Sequence, residues 1–216
     1  MRNDNRNYNY NDYPSEKRME YELVADLIPT GARVLDLACG NGALMEQLIE
    51  TRQAICEGME LSPSGVEVCR KKGLEVIAGR VDEKLPYADN QFDVAVCNVT
   101  IQMLMYPEML LSEMKRVAPR QIISFPNFAY FKNRLELLLK GRMPKQLLFG
   151  YQWYNTGHIH QLSIRDFEEL VGAVGGLEIA TRSFVPMGMK PIDMLGGVFP
   201  GWFRKVVIME TRRTNG

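Results

Sequence analysis

Two carboxylates and two glycines define the chemistry that this 216-residue chain could perform. The stretch RVLDLACGNG, residues 33–42, places Asp36 near the end of an apolar run and follows it with Gly40 and Gly42; Glu60 lies near the end of the next such run, AICEGMEL. A glycine turn after a strand lets the backbone approach a nucleotide, because no side chain stands in the way. Such turns commonly cradle phosphate at a helix N-terminus. Here the third glycine of the dinucleotide fingerprint is replaced by Met45, and no Gly-Lys-Ser or Gly-Lys-Thr follows. Asp36 stands where a pyrophosphate would approach, and Glu60 would accept ribose hydroxyls but repel a ribose phosphate.

S-adenosylmethionine satisfies these constraints together. It carries adenosine without phosphate, and its methionine end bears an ammonium group and a sulfonium that Asp36 would help to balance. An NAD-type nucleotide and a ligand-free scaffold of the same layout remain as alternatives on this pattern alone.

Residues spaced in this way need a sheet to position them. Short apolar runs alternate with amphipathic stretches, the pattern of parallel strands joined by crossover helices. RVLDLA, AICEGMEL, LEVIAG, FDVAVCN and RQIISFP read as strands, and NGALMEQLIE, SPSGVEVCRKKG and PEMLLSEMKRV as helices. Ser62 is placed to cap the second of these helices, Pro63 to open it and Gly73 to close it in a left-handed conformation. Tyr21, Val24, Ala25 and Ile28 fall at helical spacing ahead of Pro29. Residues 1–15 alternate Asn with Tyr, Asp and Arg, which predicts a mobile arm ahead of one domain over 16–216.

Composition narrows the partners. Lys plus Arg and Asp plus Glu both total 26, so the overall charge points to no nucleic acid and no membrane surface. Cys39, Cys56, Cys69 and Cys97 lack paired spacing, and His158 and His160 are the only histidines, which disfavours a structural metal site. The first residues have no apolar core like that of a signal peptide, and no run reaches bilayer length. The expected location is the reducing cytoplasm.

VLDLACGNG, GMELSP, VIAGRVDEKLPYADNQFDVAVCN and IISFPN together resemble the class I S-adenosylmethionine-dependent methyltransferases. VTIQML, SFPNFAYFKNRLELLLKGRMP and WYNTGHIHQLSIRDFEEL bring the resemblance closer to the methionine-biosynthesis MetW family, over about residues 20–210. The resemblance implies a Rossmann-like α/β fold with helices on both faces of a seven-stranded, mostly parallel sheet, whose last strand turns back. LEIATRSF and FRKVVIMETRR are the candidates for its final two strands. It further implies that Asp36, Ala38 and Gly40 line the methionine part of S-adenosylmethionine. Glu60 would then hold the ribose, Leu61 the adenine face, Val81 and Asp82 the adenine edge, and Asn98 would lie under the sulfonium. S-adenosylhomocysteine would be the product of methyl transfer to a small molecule. The alternative is a non-catalytic, ligand-sensing partner of homoserine O-acyltransferase, since the family is associated with that enzyme.

Two positions depart from the family pattern: Ala38 replaces the loop's usual first glycine, and Arg80 replaces an aspartate after Gly79. Asn98 and Gln102 are candidate acceptor contacts, although no residue marks itself as a general base. YQWYNTGHIHQLS could form a lid, while Ser163 and Asp166 resemble a helix-capping pair. FKNRLELLLKGRMPK reads first as an amphipathic helix with a solvated basic face; as a docking surface within 128–160 it would suit the acyltransferase partner. The thirteen methionines read as core filler.

Overall fold

The computed structural model describes residues 9–12, 18–145, 147, 152–154 and 156–214. Of the predicted N-terminal arm, only residues 9–12 fall within the described set. Seven strands form one sheet: β1 (Arg33–Leu37), β2 (Ile55–Glu60), β3 (Glu75–Ala78), β4 (Val94–Asn98), β5 (Arg120–Pro126), β6 (Leu177–Phe184) and β7 (Val206–Arg213). Eight α-helices accompany them among the described residues: α1 (Met19–Asp26), α2 (Ala43–Arg52), α3 (Pro63–Lys71), α4 (Pro107–Val117), α5 (Phe131–Lys140), α6 (Ile164–Val174), α7 (Lys190–Val198) and α8 (Pro200–Phe203).

The strand order is β3-β2-β1-β4-β5-β7-β6, with β1 to β5 parallel and β7 antiparallel to both its neighbours. The central strands are largely apolar because both faces are covered, as buried parallel strands require. Neighbouring side chains point to opposite faces. Leu35, Leu37, Ala95, Cys97, Ile123 and Phe125 join Leu110 and Met114 of α4 and Phe167 and Val171 of α6. Val34, Val94, Val96 and Ile122 join Val24 of α1, Leu48 of α2 and Val66 of α3 on the other face.

The reversed strand β7 is locked by a buried carboxylate. Glu210 accepts from Arg120 Nε at 2.8 Å, Arg212 Nε at 3.0 Å and Thr181 Oγ1 at 2.9 Å. Arg120 also donates to the Leu27 carbonyl at 2.7 Å, tying β5 to the end of α1. Glu210 therefore links β5, β6 and β7, and residues 177–184 and 206–213 are the two C-terminal strands expected from the sequence.

Local signals fare unevenly. Pro63 opens α3, and Gly73 follows its end at φ 75°. Ser62 occupies the N-cap position, yet its hydroxyl lies 2.9 Å from Ser64 Oγ and caps no helix amide. The difference arises because the Ser62 amide is drawn to Glu60 Oε1 at 2.7 Å, which turns the entry toward the strand end. The Ser163–Asp166 capping box forms in full: Asp166 N–H donates to Ser163 Oγ at 3.2 Å and Ser163 N–H to Asp166 Oδ2 at 2.7 Å.

The helix over 131–140 departs from the first expectation. Its basic face is solvated, but Leu135, Leu137, Leu138 and Leu139 are exposed as well, and Asn133 alone in it is buried. Its apolar residues therefore do not cover the core.

Candidate functional site

The C-terminal ends of β1, β2 and β4 meet at one edge of the sheet, the place where open parallel sheets bind ligands. Asp36 pairs in register with Gly58 on one side and Val96 on the other, so its carboxylate emerges in the middle of that edge. It is buried, and Oδ2 has no hydrogen-bond partner. Burial, with the neighbouring Glu60 adding, pushes its carboxyl up to about 7. A buried, unsatisfied carboxylate is costly unless a cation or donor completes it. An ammonium group is of that chemistry, so this residue fits the methionine end of S-adenosylmethionine.

The loop after β1 is pinned rather than free. Ala38 N–H and Cys39 N–H both donate to the Met59 carbonyl, at 2.8 and 3.2 Å. Ala38, Gly40 and Gly42 all take positive φ, at 62°, 59° and 76°. For Ala38 that conformation costs about 1–2 kcal/mol, which the glycine usual at this place would avoid. The two glycines have different reasons to be glycine. A Cβ on Gly42 would stand 2.4 Å from Leu74 Cδ1 and 3.0 Å from Cys69 Sγ, so Gly42 serves packing against α3 and its exit. Gly40 instead faces the cleft edge and donates its N–H to Glu60 Oε2 at 2.8 Å.

Glu60 ends β2, buried, with its two oxygens holding Gly40 N–H and Ser62 N–H. Leu61 follows, half-buried beside it. Asp36, Ala38, Gly40, Glu60 and Leu61 thus lie along β1, β2 and the loops that leave them.

The two residues expected at the adenine edge are placed differently from each other. Val81 packs into the core with Met59 and Leu85. Asp82 is buried, and its Oδ2 accepts from Arg80 Nη2 and from Met105 N–H, both at 2.9 Å. Arg80, the departure noted in the sequence, therefore pairs with Asp82, and with Glu83 at 3.2 Å. The Met105 N–H bond to Asp82 ties the loop after β3 to the loop after β4.

At the end of β4, Asn98 Oδ1 accepts from Ser124 Oγ. Val99 follows at φ 49°, a conformation rare for a β-branched residue, held by its N–H donating to Ser124 Oγ at 2.9 Å and to the Ser124 carbonyl at 3.1 Å. Backbone held in this way by its surroundings is characteristic of functional edges. Gln102 donates through Nε2 to the Val99 carbonyl at 2.8 Å, while its buried Oε1 has no partner. Ile159 N–H and His160 N–H both donate to the Gln102 carbonyl, at 2.9 and 3.0 Å. The segment read as a lid is thereby moored at the β4 end, with His158 buried and His160 exposed.

Two contributors escaped the sequence reading. Arg18 lies 6.0 Å from the centre of the Tyr21 ring. Burial raises the Tyr21 phenol, the Arg18 charge opposes that, and Asp36 adds to it, which sets Arg18, Tyr21 and Asp36 in one electrostatic group. The second is Tyr10, whose ring packs against Gly40 and Gly65. Among the described residues, no group of three or more His, Cys, Asp or Glu is arranged to hold a metal ion. The four cysteines are buried free thiols.

A family model described as "Methionine biosynthesis protein MetW" matches residues 18–194. The chain belongs to the MetW family. A bifunctional methionine biosynthesis protein MetXA/MetW from Rhodopirellula baltica is 34% identical over 164 residues, which cover 71% of this chain and 26% of that protein. An uncharacterized protein of Methanocaldococcus jannaschii is 28% identical over 103 residues, covering 48% of this chain and 47% of that one. This MetW chain thus spans about a quarter of the first relative and about half of the second. Among solved structures, an S-adenosylmethionine-dependent methyltransferase from Mesorhizobium loti superimposes with TM-score 0.65 at 14% identity, covering 93% of this chain and 100% of that one. One from Thermotoga maritima gives 0.63 at 19%, covering 91% and 88%. Magnesium protoporphyrin IX methyltransferase from Synechocystis, solved with S-adenosylmethionine bound, gives 0.56 at 18%, covering 89% and 75%. At these identities the likeness establishes the class I methyltransferase fold for this MetW protein.

Proposed function

We propose that this chain binds S-adenosylmethionine at the β1–β2–β4 edge and, within methionine biosynthesis, transfers its methyl group to a small molecule. The observation that carries the binding is Asp36: a buried carboxylate with an unpartnered oxygen, beside a second carboxylate at the end of the next strand. Asp36 would hold the ammonium, Ala38 and Gly40 would lie along the methionine part, and Glu60 would accept the ribose hydroxyls. Leu61, Val81 and Asp82 are assigned to the adenine side, with Arg80 fixing the Asp82 carboxylate. Asn98, oriented by Ser124, would sit beneath the sulfonium, and Gln102 would face the acceptor. When bound, the ligand supplies a methyl group on a cationic sulfur. The chain's part is to align donor and acceptor and to exclude water, which the moored 156–160 segment favours. Calorimetric titration with S-adenosylmethionine, S-adenosylhomocysteine and NAD tests this: the first two should bind and NAD should not. Heat from NAD alone, or from none of the three, would overturn it.

A second reading, a non-catalytic and ligand-sensing partner of homoserine O-acyltransferase, is favoured by two observations. The Rhodopirellula relative carries the MetXA and MetW names in a single protein. In this chain the leucines of α5 are exposed, and so are Met194 and Val198 of α7, Phe199 between the two helices and Trp202 of α8. Phe131 lies 5.3 Å from Phe203, and Arg134 sits 4.4 Å over the Trp202 ring, so the first turn of α5 adjoins α8. Exposed apolar surface of this kind marks an interaction site. Lys132 and Lys140 are exposed on α5 and suit an acidic rim on the partner, while Arg142 is paired with Glu136 at 2.6 Å. On either reading the location we propose is the cytoplasm. Leu138→Glu combined with Leu139→Glu should weaken association with purified homoserine O-acyltransferase about tenfold or more. Pull-down or calorimetry that finds association unchanged would remove α5 from the interface.

A further inference from the structure

Residues Tyr10–Asp12 form a single 3-10 turn seated on the cleft edge. The Tyr10 amide donates to Ser64 Oγ, in the first turn of α3, at 3.0 Å. Its ring lies against two glycines. A Cβ built on Gly40 would stand 3.2 Å from Tyr10 Cε1, and one on Gly65 would stand 3.1 Å from Tyr10 Cδ2. The same Gly65 position is 2.8 Å from Glu60 Cγ and 2.7 Å from the Gly40 carbonyl. The ring therefore fills a notch between the glycine loop and α3, directly beside the Glu60 carboxylate. A side chain at either glycine would press on the ring and force it to shift.

We propose that the turn Tyr10–Asp12 is a strap at the edge of the adenosylmethionine cleft, with Tyr10 as the ring that closes against its ribose side. The inference rests on the adenosylmethionine reading above. Glu60 is buried, and the ring packs on the same two elements whose amides hold its oxygens, the loop at Gly40 and the entry to α3. A ribose held by Glu60 would neighbour the ring, so the turn lifts for entry and reseats beside the ligand. A short turn at the edge of the fold can open at little cost compared with the core strands. Tyr suits the position because its ring packs on the notch while its hydroxyl stays hydrogen-bond competent next to a polar ligand. Closing segments of this kind act mainly on the rate at which ligand leaves.

The experiment is stopped-flow binding of S-adenosylhomocysteine to the full chain. Tyr10→Ala should raise the dissociation rate about tenfold or more, while Tyr10→Phe, which keeps the ring, stays within about twofold of the parent. An unchanged dissociation rate in Tyr10→Ala overturns the strap. Faster association and tighter binding with the same dissociation rate would make the segment a plug, which also overturns a closing role. Amide exchange of the ligand-free protein provides a readout independent of binding: Gly40 and Ser62 should exchange faster in Tyr10→Ala, and equal protection would show that the ring does not seat there. If neither protein binds the ligand, the adenosylmethionine reading fails and takes the ligand-closing role with it, while the exchange data still report whether the ring is seated.

Discussion

Asp36→Asn is expected to produce a more stable protein that has lost most of its affinity for S-adenosylmethionine. The buried carboxyl titrates near 7 against an ordinary value of 3.8. The folded chain therefore binds this proton more tightly than the unfolded chain does. Between about pH 4 and pH 7 the unfolded state loses the proton first, so stability falls as pH rises through that interval. The whole shift corresponds to roughly 4 kcal/mol above pH 7, less what the buried amide forfeits in its own hydrogen bonds. Urea midpoints at pH 5 and pH 8 should show the parent less stable at pH 8, and Asp36→Asn should show little of that slope. Level stability in the parent would overturn the buried, uncompensated carboxylate.

Binding should follow the opposite trend. A cationic ligand needs Asp36 ionised, so affinity rises as pH passes about 7 and declines again when an α-amino group deprotonates near 8. Loss of the charged bond in Asp36→Asn removes roughly 1.5–3 kcal/mol, a weakening of about tenfold to a hundredfold. Titrations at pH 6, 7.5 and 9 with both proteins check the pattern; parent affinity independent of pH would contradict a direct Asp36 contact.

The other large effect lies away from the cleft. Glu210→Ala should destabilise the fold by about 3–5 kcal/mol, because Arg120 and Arg212 lose a buried partner and the Thr181 hydroxyl loses its acceptor. Burial alone would raise the Glu210 carboxyl, but the bonds from Arg212 and Thr181 and the charge of Arg120 hold it below the usual glutamate value. Its contribution is therefore present above that usual value and is lost as pH falls through the lowered one. Denaturation midpoints should show a marked deficit at pH 7 that narrows toward pH 3. Equal stability of the two proteins at pH 7 would show that β7 is held without this cluster.

The sheet was legible because its signals are local and redundant. Apolar runs announce β1, β4 and β5, the helix of residues 107–117 is bounded by Pro107 and by the apolar end at Val117, and Gly73 marks an exit that the backbone angle demands. The positions of Asp36, Ala38, Gly40 and Glu60 relative to the strands follow from the same signals: Asp36 lies one residue before the end of β1, Ala38 and Gly40 in the loop after it, and Glu60 ends β2. Other features depend on distant partners. Ser62 reads as a cap, yet the Glu60 carboxylate claims its amide. Asp82 reads as an adenine contact, but whether Arg80 reaches it depends on how the loop after β3 folds back. The leucines of α5 have the spacing of a buried face, and only the absence of a covering element among the described residues shows them to be exposed. Tyr10 sits in a polar stretch where no periodicity reveals that a single ring finds a notch made by two glycines. The left-handed Val99 could not be read at all, because a β-branched residue gives no hint of that conformation.

The reversal of β7 also decides where attachments can be made. β7 begins opposite Pro126, at the cleft edge, and ends with Arg212 opposite Arg120, at the far edge of the sheet. A tether, fluorophore or fused partner joined to the last residues of β7 would leave from the side of the sheet remote from the cleft. Surface immobilisation at that end should therefore leave ligand access at the β1–β2–β4 edge unchanged.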